Sequence, residues 1–166
     1  GDAAVRGTDR EWQMDGETAG RTTHDAAEDP RNRDILIYVN GDPLPRAEAK
    51  VSVYDSGFLL GDGMWEGLRL HNGRWAFLDD HLDRFLDSCK AVSLDPGMTR
   101  EDLRAALDRT AAANGMTGDA HARLMLTRGI KDRPFQHPGL SRSGPTLVII
   151  AEHSRPAPRL RAEGIR

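Results

Sequence analysis

The chain has 166 residues, with 23 Lys+Arg against 26 Asp+Glu and a formal net charge of −3 at pH 7. That length suits one domain with or without a tail, and a net acidic chain is a poor match for a phosphate-seeking nucleic-acid binder. A single cysteine, Cys89, excludes an internal disulfide framework and fits a reducing compartment, so a cytoplasmic protein is expected.

Residues 1–34 carry nine acids against five arginines, which leaves 17 acids and 18 bases for residues 35–166. This opening has only Val5, Trp12 and Met14 as large apolar residues, too few to offset ordering its backbone, and it is expected to be a disordered leader. It has neither the cationic start nor the apolar run of a signal peptide, and no stretch approaches membrane-spanning length. Ordered sequence is expected from Ile35. The run Ile35-Leu36-Ile37-Tyr38-Val39-Asn40 reads as a strand that enters a turn at Gly41-Asp42-Pro43. Lys50 to Tyr54 alternates and predicts a second strand. Asp55 to Gly63 then places three glycines in seven positions, from Gly57 to Gly63, which suggests a close-packed loop or one helical turn. Met64 to His71 reads as a strand, and Asn72-Gly73 signals a hairpin into Arg74-Trp75-Ala76-Phe77.

Two helices follow. Leu82, Phe85, Leu86, Cys89 and Val92 form one apolar stripe, with Asp79 or Asp80 as the cap and Asp95-Pro96-Gly97 as the end. On that stripe Cys89 reads as core packing. Thr99-Arg100-Glu101-Asp102 resembles a capping box and opens a helix that ends at Asn114-Gly115. Ala120 to Thr127 predicts a strand with Ala120, Ala122, Leu124 and Leu126 on one face and His121, Arg123, Met125 and Thr127 on the other. A Gly- and Pro-rich loop from Arg128 to Pro145 leads to a buried strand, Thr146 to Ala151. The expected fold class is α+β, a small and mostly antiparallel sheet with two packed helices, spanning 35–155. Residues 156–166 read as a linker or the start of a further domain.

Several chemistries fail on spacing. No two of the six histidines stand at i, i+3 or i+4, so no zinc-type pair forms and no metal is expected. Gly61-Asp62-Gly63 lacks the third glycine of a dinucleotide fingerprint, and no glycine-rich loop ends in Lys-Ser or Lys-Thr. Arginines remain, 20 of them against three lysines. Arg84 lies in the first turns of a helix, on one face with His81, where a guanidinium and free backbone N–H groups suit a phosphate; a solvated surface arginine is the plain alternative. Arg69 follows Gly67 on the Trp65 strand, Arg123 shares a face with Met125 and Thr127, and Arg133 lies in the long loop. Two or three of these converging on one cavity would make a carboxylate or phosphate pocket.

The segments Tyr38-Val39-Asn40-Gly41, Ala49 to Arg69 (with Gly61-Asp62-Gly63 and Glu66-Gly67) and Leu78-Asp79-Asp80-His81-Leu82-Asp83-Arg84 resemble the amino-terminal half of the class IV aminotransferases. These are the pyridoxal-phosphate enzymes of fold type IV, which include branched-chain and D-amino-acid aminotransferases. The resemblance covers about residues 35–166. It implies a homodimeric enzyme that moves an amino group between an amino acid and a 2-oxo acid, with pyridoxal 5′-phosphate as cofactor. Arg84 matches the arginine that holds the cofactor phosphate, and Trp65 and Gly67 match strand positions facing the substrate, with Arg69 beside them. Arg123 matches the carboxylate-side arginine of branched-chain enzymes, whereas Arg133 matches that of D-amino-acid enzymes. The histidine those enzymes carry two residues later is Phe135 here, and His121 replaces a branched-chain tyrosine, so the two signatures are mixed.

The resemblance also implies that the Schiff-base lysine lies in a second domain, past the equivalent of Arg166. Lys50, Lys90 and Lys131 do not match it: Lys90 is expected to be exposed and Lys131 to help attract anions beside Arg133. The chain is therefore expected to be the amino-terminal part of an enzyme, partnered by a carboxy-terminal domain or fragment. The alternatives are an aminodeoxychorismate lyase-type enzyme and a non-catalytic half that waits for a complementary chain.

Overall fold

Apolar residues recur along the longer strands, and the computed structural model, which describes residues 29–155, assembles six strands into one sheet. In chain order they are β1 (Leu36–Val39), β2 (Asp42–Pro45), β3 (Gly63–His71), β4 (Arg74–Trp75), β5 (Ala120–Thr127) and β6 (Thr146–His153). The spatial order is β2-β1-β6-β5-β3-β4 with every pair antiparallel. Three α-helices, a short α1 (Ser56–Leu60), α2 (Leu78–Ala91) and α3 (Arg100–Ala113), and two 3-10 turns (Pro30–Asp34 and Pro138–Leu140) complete the described elements.

Alternation on β5 decides which face is covered. Ala120, Ala122, Leu124 and Leu126 are buried toward the helices, while residues 121, 123, 125 and 127 face the other way. The α2 residues Leu82, Phe85 and Cys89 and the α3 residues Leu103, Ala106, Leu107 and Ala111 pack on that face with Leu68, Leu70, Ile149 and Ala151. The α+β expectation holds. Buried Cys89 is a core residue, its thiol pKa pushed up by burial. Among the described residues no helix is long and apolar enough to cross a membrane.

The capping box at α3 is present as expected: Asp102 N–H donates to Thr99 Oγ1 at 3.1 Å and Thr99 N–H donates back to Asp102 Oδ2 at 2.9 Å. Thr99→Ala lowers the unfolding free energy by about 1 kcal/mol, read as a drop in urea midpoint. An unchanged midpoint would mean that packing alone holds the start of α3.

Four expectations are corrected. Lys50 to Tyr54 is turn and irregular backbone, not a strand. Val51, Val53 and Tyr54 are exposed, and Ser52 pulls the chain round by accepting from Tyr54 N–H on its hydroxyl and from Asp55 N–H on its carbonyl. The second strand is instead Asp42–Pro45, folded back through positive φ at Asn40 and Gly41. Pro43 and Pro45 fit because this strand is a sheet edge, where a missing N–H costs no ladder bond. Neither Asp79 nor Asp80 caps α2. Phe77, in a left-handed backbone, precedes the helix without a side-chain cap, and the two acids lie in its first turn, favourable toward the helix dipole. That helix stops at Ala91, ahead of Asp95-Pro96-Gly97, and leaves Val92 exposed. Finally, residues 30–34 form a 3-10 turn, placed within the leader by the sequence reading, and Asn32 exchanges hydrogen bonds with the His153 backbone at 3.0 and 2.8 Å.

The glycine-rich segment after Tyr54 forms α1 and a tight entry into β3. Buried Asp55 caps α1 by accepting from Gly57 N–H at 2.8 Å, and its second oxygen accepts from Thr127 Oγ1 at 2.9 Å. Arg128 staples this loop to the end of α2: it pairs with Asp62 at 2.8 Å and donates to the carbonyls of Val92 and Ser93.

Candidate functional site

Strand β3 is the element on which the site is built. Its odd-numbered residues Trp65, Gly67 and Arg69 face away from the helices, and its even-numbered residues Glu66, Leu68 and Leu70 face them. Strand β4 pairs only with Leu70 and His71, so the stretch from Gly63 to Leu68 is a sheet edge among the described residues. Helix α2 buries Leu78, Leu82 and Phe85, and this phase carries His81 and Arg84, one turn apart, to that edge.

Glu66 is the hub on the helix side, its side chain 9% exposed while that of Arg84 is 61% exposed. Arg84 donates from Nε to Glu66 Oε1 and from Nη2 to Oε2, both at 2.6 Å, a bidentate pair. His81 Nδ1 stands 2.8 Å from Oε2 and 3.0 Å from Arg84 Nη2. Burial alone would raise the Glu66 pKa; hydrogen bonds and charge from Arg84 and His81 outweigh it and hold the carboxyl below its ordinary value. An ionised carboxylate only accepts, so His81 Nδ1–H is assigned as the donor to it.

On the open face, Arg123 stacks over the Trp65 ring with its guanidinium carbon 4.6 Å from the centroid. Gly67 is opposite Arg123 in register, and Arg69 is opposite His121. A side chain at 67 would start 3.3 Å from the His121 ring and 3.9 Å from Trp65, so glycine keeps a shallow floor between the two rings. The Arg69 guanidinium is committed elsewhere, donating to Ser154 O at 2.6 Å.

Sequence reasoning singled out Trp65, Gly67, Arg69, Arg84, Arg123 and Arg133. The structure puts Trp65, Gly67, Arg69 and Arg123 on one sheet face and Arg84 on the other side of the β3 edge. Arg133 is an exposed loop residue. The arginines therefore do not converge on one cavity. A hollow of about 90 Å³ lies over Leu36, Tyr38 and Arg109, and one of about 570 Å³ lies beside Asn114 and His153; neither is lined by a candidate arginine. Lys131 is also corrected: it is buried, with Nζ donating to the His137 carbonyl at 3.3 Å, so it cannot attract anions at the surface. Glu66 and Arg128 were missed. Part of the signal for Glu66 is local, since alternation puts an acid on the core face of β3; its contact with the His81–Arg84 pair depends on how α2 lies along that strand.

The amino-transferase class IV family matches residues 63–165, more than half of the sequence. The chain belongs to the class IV aminotransferases. As a class IV chain it is 44% identical over 127 residues to branched-chain-amino-acid aminotransferase-like protein 1 of Arabidopsis thaliana, covering 76% of this chain and 23% of that protein. It is 38% identical over 133 residues to a putative branched-chain-amino-acid aminotransferase of Methanocaldococcus jannaschii, covering 80% and 44%. Against the D-alanine aminotransferase of Listeria innocua the identity is 34% over 126 residues, covering 75% and 42%. The class IV chain thus spans less than half the length of each of these relatives. Among solved structures, the branched-chain aminotransferase of Thermoproteus uzoniensis superposes with a TM-score of 0.60 at 28% identity, covering 72% of this chain and 40% of that one. The 4-amino-4-deoxychorismate lyase of Pseudomonas aeruginosa superposes equally well, at 0.60 and 28%, covering 75% and 42%.

Proposed function

We propose that this class IV chain supplies the phosphate clamp and part of the substrate face of an aminotransferase that moves an amino group between an amino acid and a 2-oxo acid. The observation that carries the reading is the Arg84–Glu66 pair at the free edge of β3, with Trp65 and Gly67 as the neighbours of Glu66 on the opposite face. The residues fit a phosphate-bearing cofactor. Arg84 has an exposed tip, and its Nη1 has no hydrogen-bond partner among the described residues, so donors remain for an anion beyond those given to Glu66. When bound, pyridoxal 5′-phosphate supplies the electron sink for amino-group exchange. Arg84 holds the phosphate, Trp65 and Gly67 shape the substrate side, and Arg123 or Arg133 meets the substrate carboxylate. Arg69, tied to Ser154, flanks that face. The resemblance puts the reacting amine outside these 166 residues, and the positions of the three lysines are in keeping with that: Lys131 is buried in the long loop, Lys90 lies in the last turn of α2 and exposed Lys50 precedes α1. The dimer that the class IV resemblance implies belongs to this proposal, and a lone buried thiol supports a reducing compartment.

The lyase fold match keeps a second reading in view, an elimination that releases pyruvate. An assay of the full-length protein with pyridoxal 5′-phosphate and a panel of L- and D-amino acids separates the two. Amino-group transfer that depends on an added 2-oxo acid is the expected result. Pyruvate release from aminodeoxychorismate with no acceptor would replace this function with the lyase.

A further inference from the structure

Glu66 is the one acid on the helix-facing side of β3, and its surroundings are built around it. Leu68 and Leu70 follow it on the same face, and both are buried in the core. A carboxylate there is costly unless it is paired, and the Glu66 carboxylate hydrogen-bonds to Arg84 and His81. Those bonds fix a direction. A guanidinium has five N–H groups in one plane; Glu66 takes Nε–H and one Nη2–H along one edge, which leaves the second Nη2–H and one Nη1–H together on the terminal edge. The Arg84 stem is long and its tip mostly exposed, so without that bidentate contact the fork would sample many rotamers. Ring atom Nδ1 of His81 donates to the same Oε2 that Nη2 contacts, so the carboxylate plane is held from a second side.

We infer that Glu66, supported by His81, is the positioning residue of the clamp: it aligns the Arg84 fork so that the two donors of its terminal edge are preset toward the cofactor phosphate. This inference rests on the proposed role of Arg84 and deepens it. Two effects of Glu66 oppose each other. Its negative charge disfavours a nearby phosphate, whereas its two acceptors remove the ordering cost of Arg84. The geometry favours positioning, because the acceptors face the core side of the guanidinium and the free donors face away.

The test measures Kd for pyridoxal 5′-phosphate and for pyridoxal, which lacks the phosphate, on the full-length protein. It uses the unmodified protein, Glu66→Gln, Arg84→Ala and the double variant, with melting curves to confirm that each is folded. Glu66→Gln keeps the side-chain shape but loses the charge and one acceptor. The expected result is about tenfold weaker pyridoxal 5′-phosphate binding, equivalent to about 1.4 kcal/mol. Pyridoxal binding stays unchanged, and the substitution has no further effect in the Arg84→Ala background, because the fork it aligns is gone. If Glu66→Gln does not fold, His81→Gln carries the test with a phosphate-dependent loss of about threefold, one neutral hydrogen bond. Arg84→Ala without effect on the phosphate ligand would overturn the clamp itself. Weakening by Arg84→Ala with tighter or unchanged binding in Glu66→Gln would overturn the inference and leave the clamp standing. Equal losses for both ligands, or additive losses in the double variant, would make Glu66 a structural residue only and also overturn the inference.

Discussion

Replacing Arg84 with alanine weakens binding of pyridoxal 5′-phosphate to the full-length protein about 100-fold. The magnitude follows from the donors. Charge-assisted hydrogen bonds contribute about 1.5–3 kcal/mol each, and losing two of them at the low end is about 3 kcal/mol, close to two orders of magnitude in Kd. Pyridoxal, without the phosphate, changes little. The same substitution strips Glu66 of its main partner and leaves a mostly buried carboxylate with His81 alone, so stability falls as well. Arg84→Lys separates the two consequences. It retains a positive charge for Glu66 but loses the fork, and it is expected to recover more stability than affinity. Equal binding of the phosphate ligand by Arg84→Ala and the unmodified protein, in equilibrium titration, would remove the clamp from this account.

Gly63→Ala costs about 3 kcal/mol or more of folding stability, while Gly61→Ala, two residues earlier in the same motif, costs about 1 kcal/mol. The contrast has a geometric cause. A Cβ at Gly63 would stand 2.5 Å from the Leu126 carbonyl oxygen and 3.3 Å from the Thr127 Cα, both backbone atoms of β5 that no rotamer change can move. Relief requires separating β3 from β5, which are paired over eight register positions. At Gly61 nothing lies within 4 Å, and the cost is only that of holding a side chain at φ +67°. A domain with a stability of about 5–15 kcal/mol tolerates the second change far better than the first. Urea titrations read the difference directly; a Gly63→Ala midpoint as high as that of Gly61→Ala would mean that the two strands separate freely there.

Much of this fold is legible in local signals that the tertiary structure does not contradict. The Ala120–Thr127 strand announces itself because Ala120, Ala122, Leu124 and Leu126 alternate with His121, Arg123 and Thr127, Met125 being the one apolar residue on the other face, and α3 because its cap is written in Thr99 and Asp102. Lys50–Tyr54 misleads for the same reason that β5 informs. Alternation records which side chains differ, but a strand also needs a neighbour with open hydrogen bonds, and Ser52 turns the chain before one is reached. The edge strand Asp42–Pro45 is hidden by its two prolines, which signal a turn unless the edge position is known.

Sheet alternation alone separates Trp65 and Gly67 from Glu66, and the i, i+3 spacing joins His81 to Arg84. The contact between the two groups depends on how α2 lies along β3, which no local pattern reports. Arg69 and Lys131 show the same limit, because their partners Ser154 and His137 are backbone groups brought near only by the fold.

In the proposed site Arg84, aligned by Glu66, is the anion end of a cofactor pocket whose substrate side begins at Trp65 and Gly67. A structure of the full-length protein with pyridoxal 5′-phosphate tests it most directly. The expected result is a phosphate oxygen within hydrogen-bond distance of Arg84 Nη1 while Glu66 still accepts from Nε, with Trp65 and Gly67 on the substrate side. A phosphate held by other residues, with the Arg84–Glu66 pair facing solvent, would contradict it.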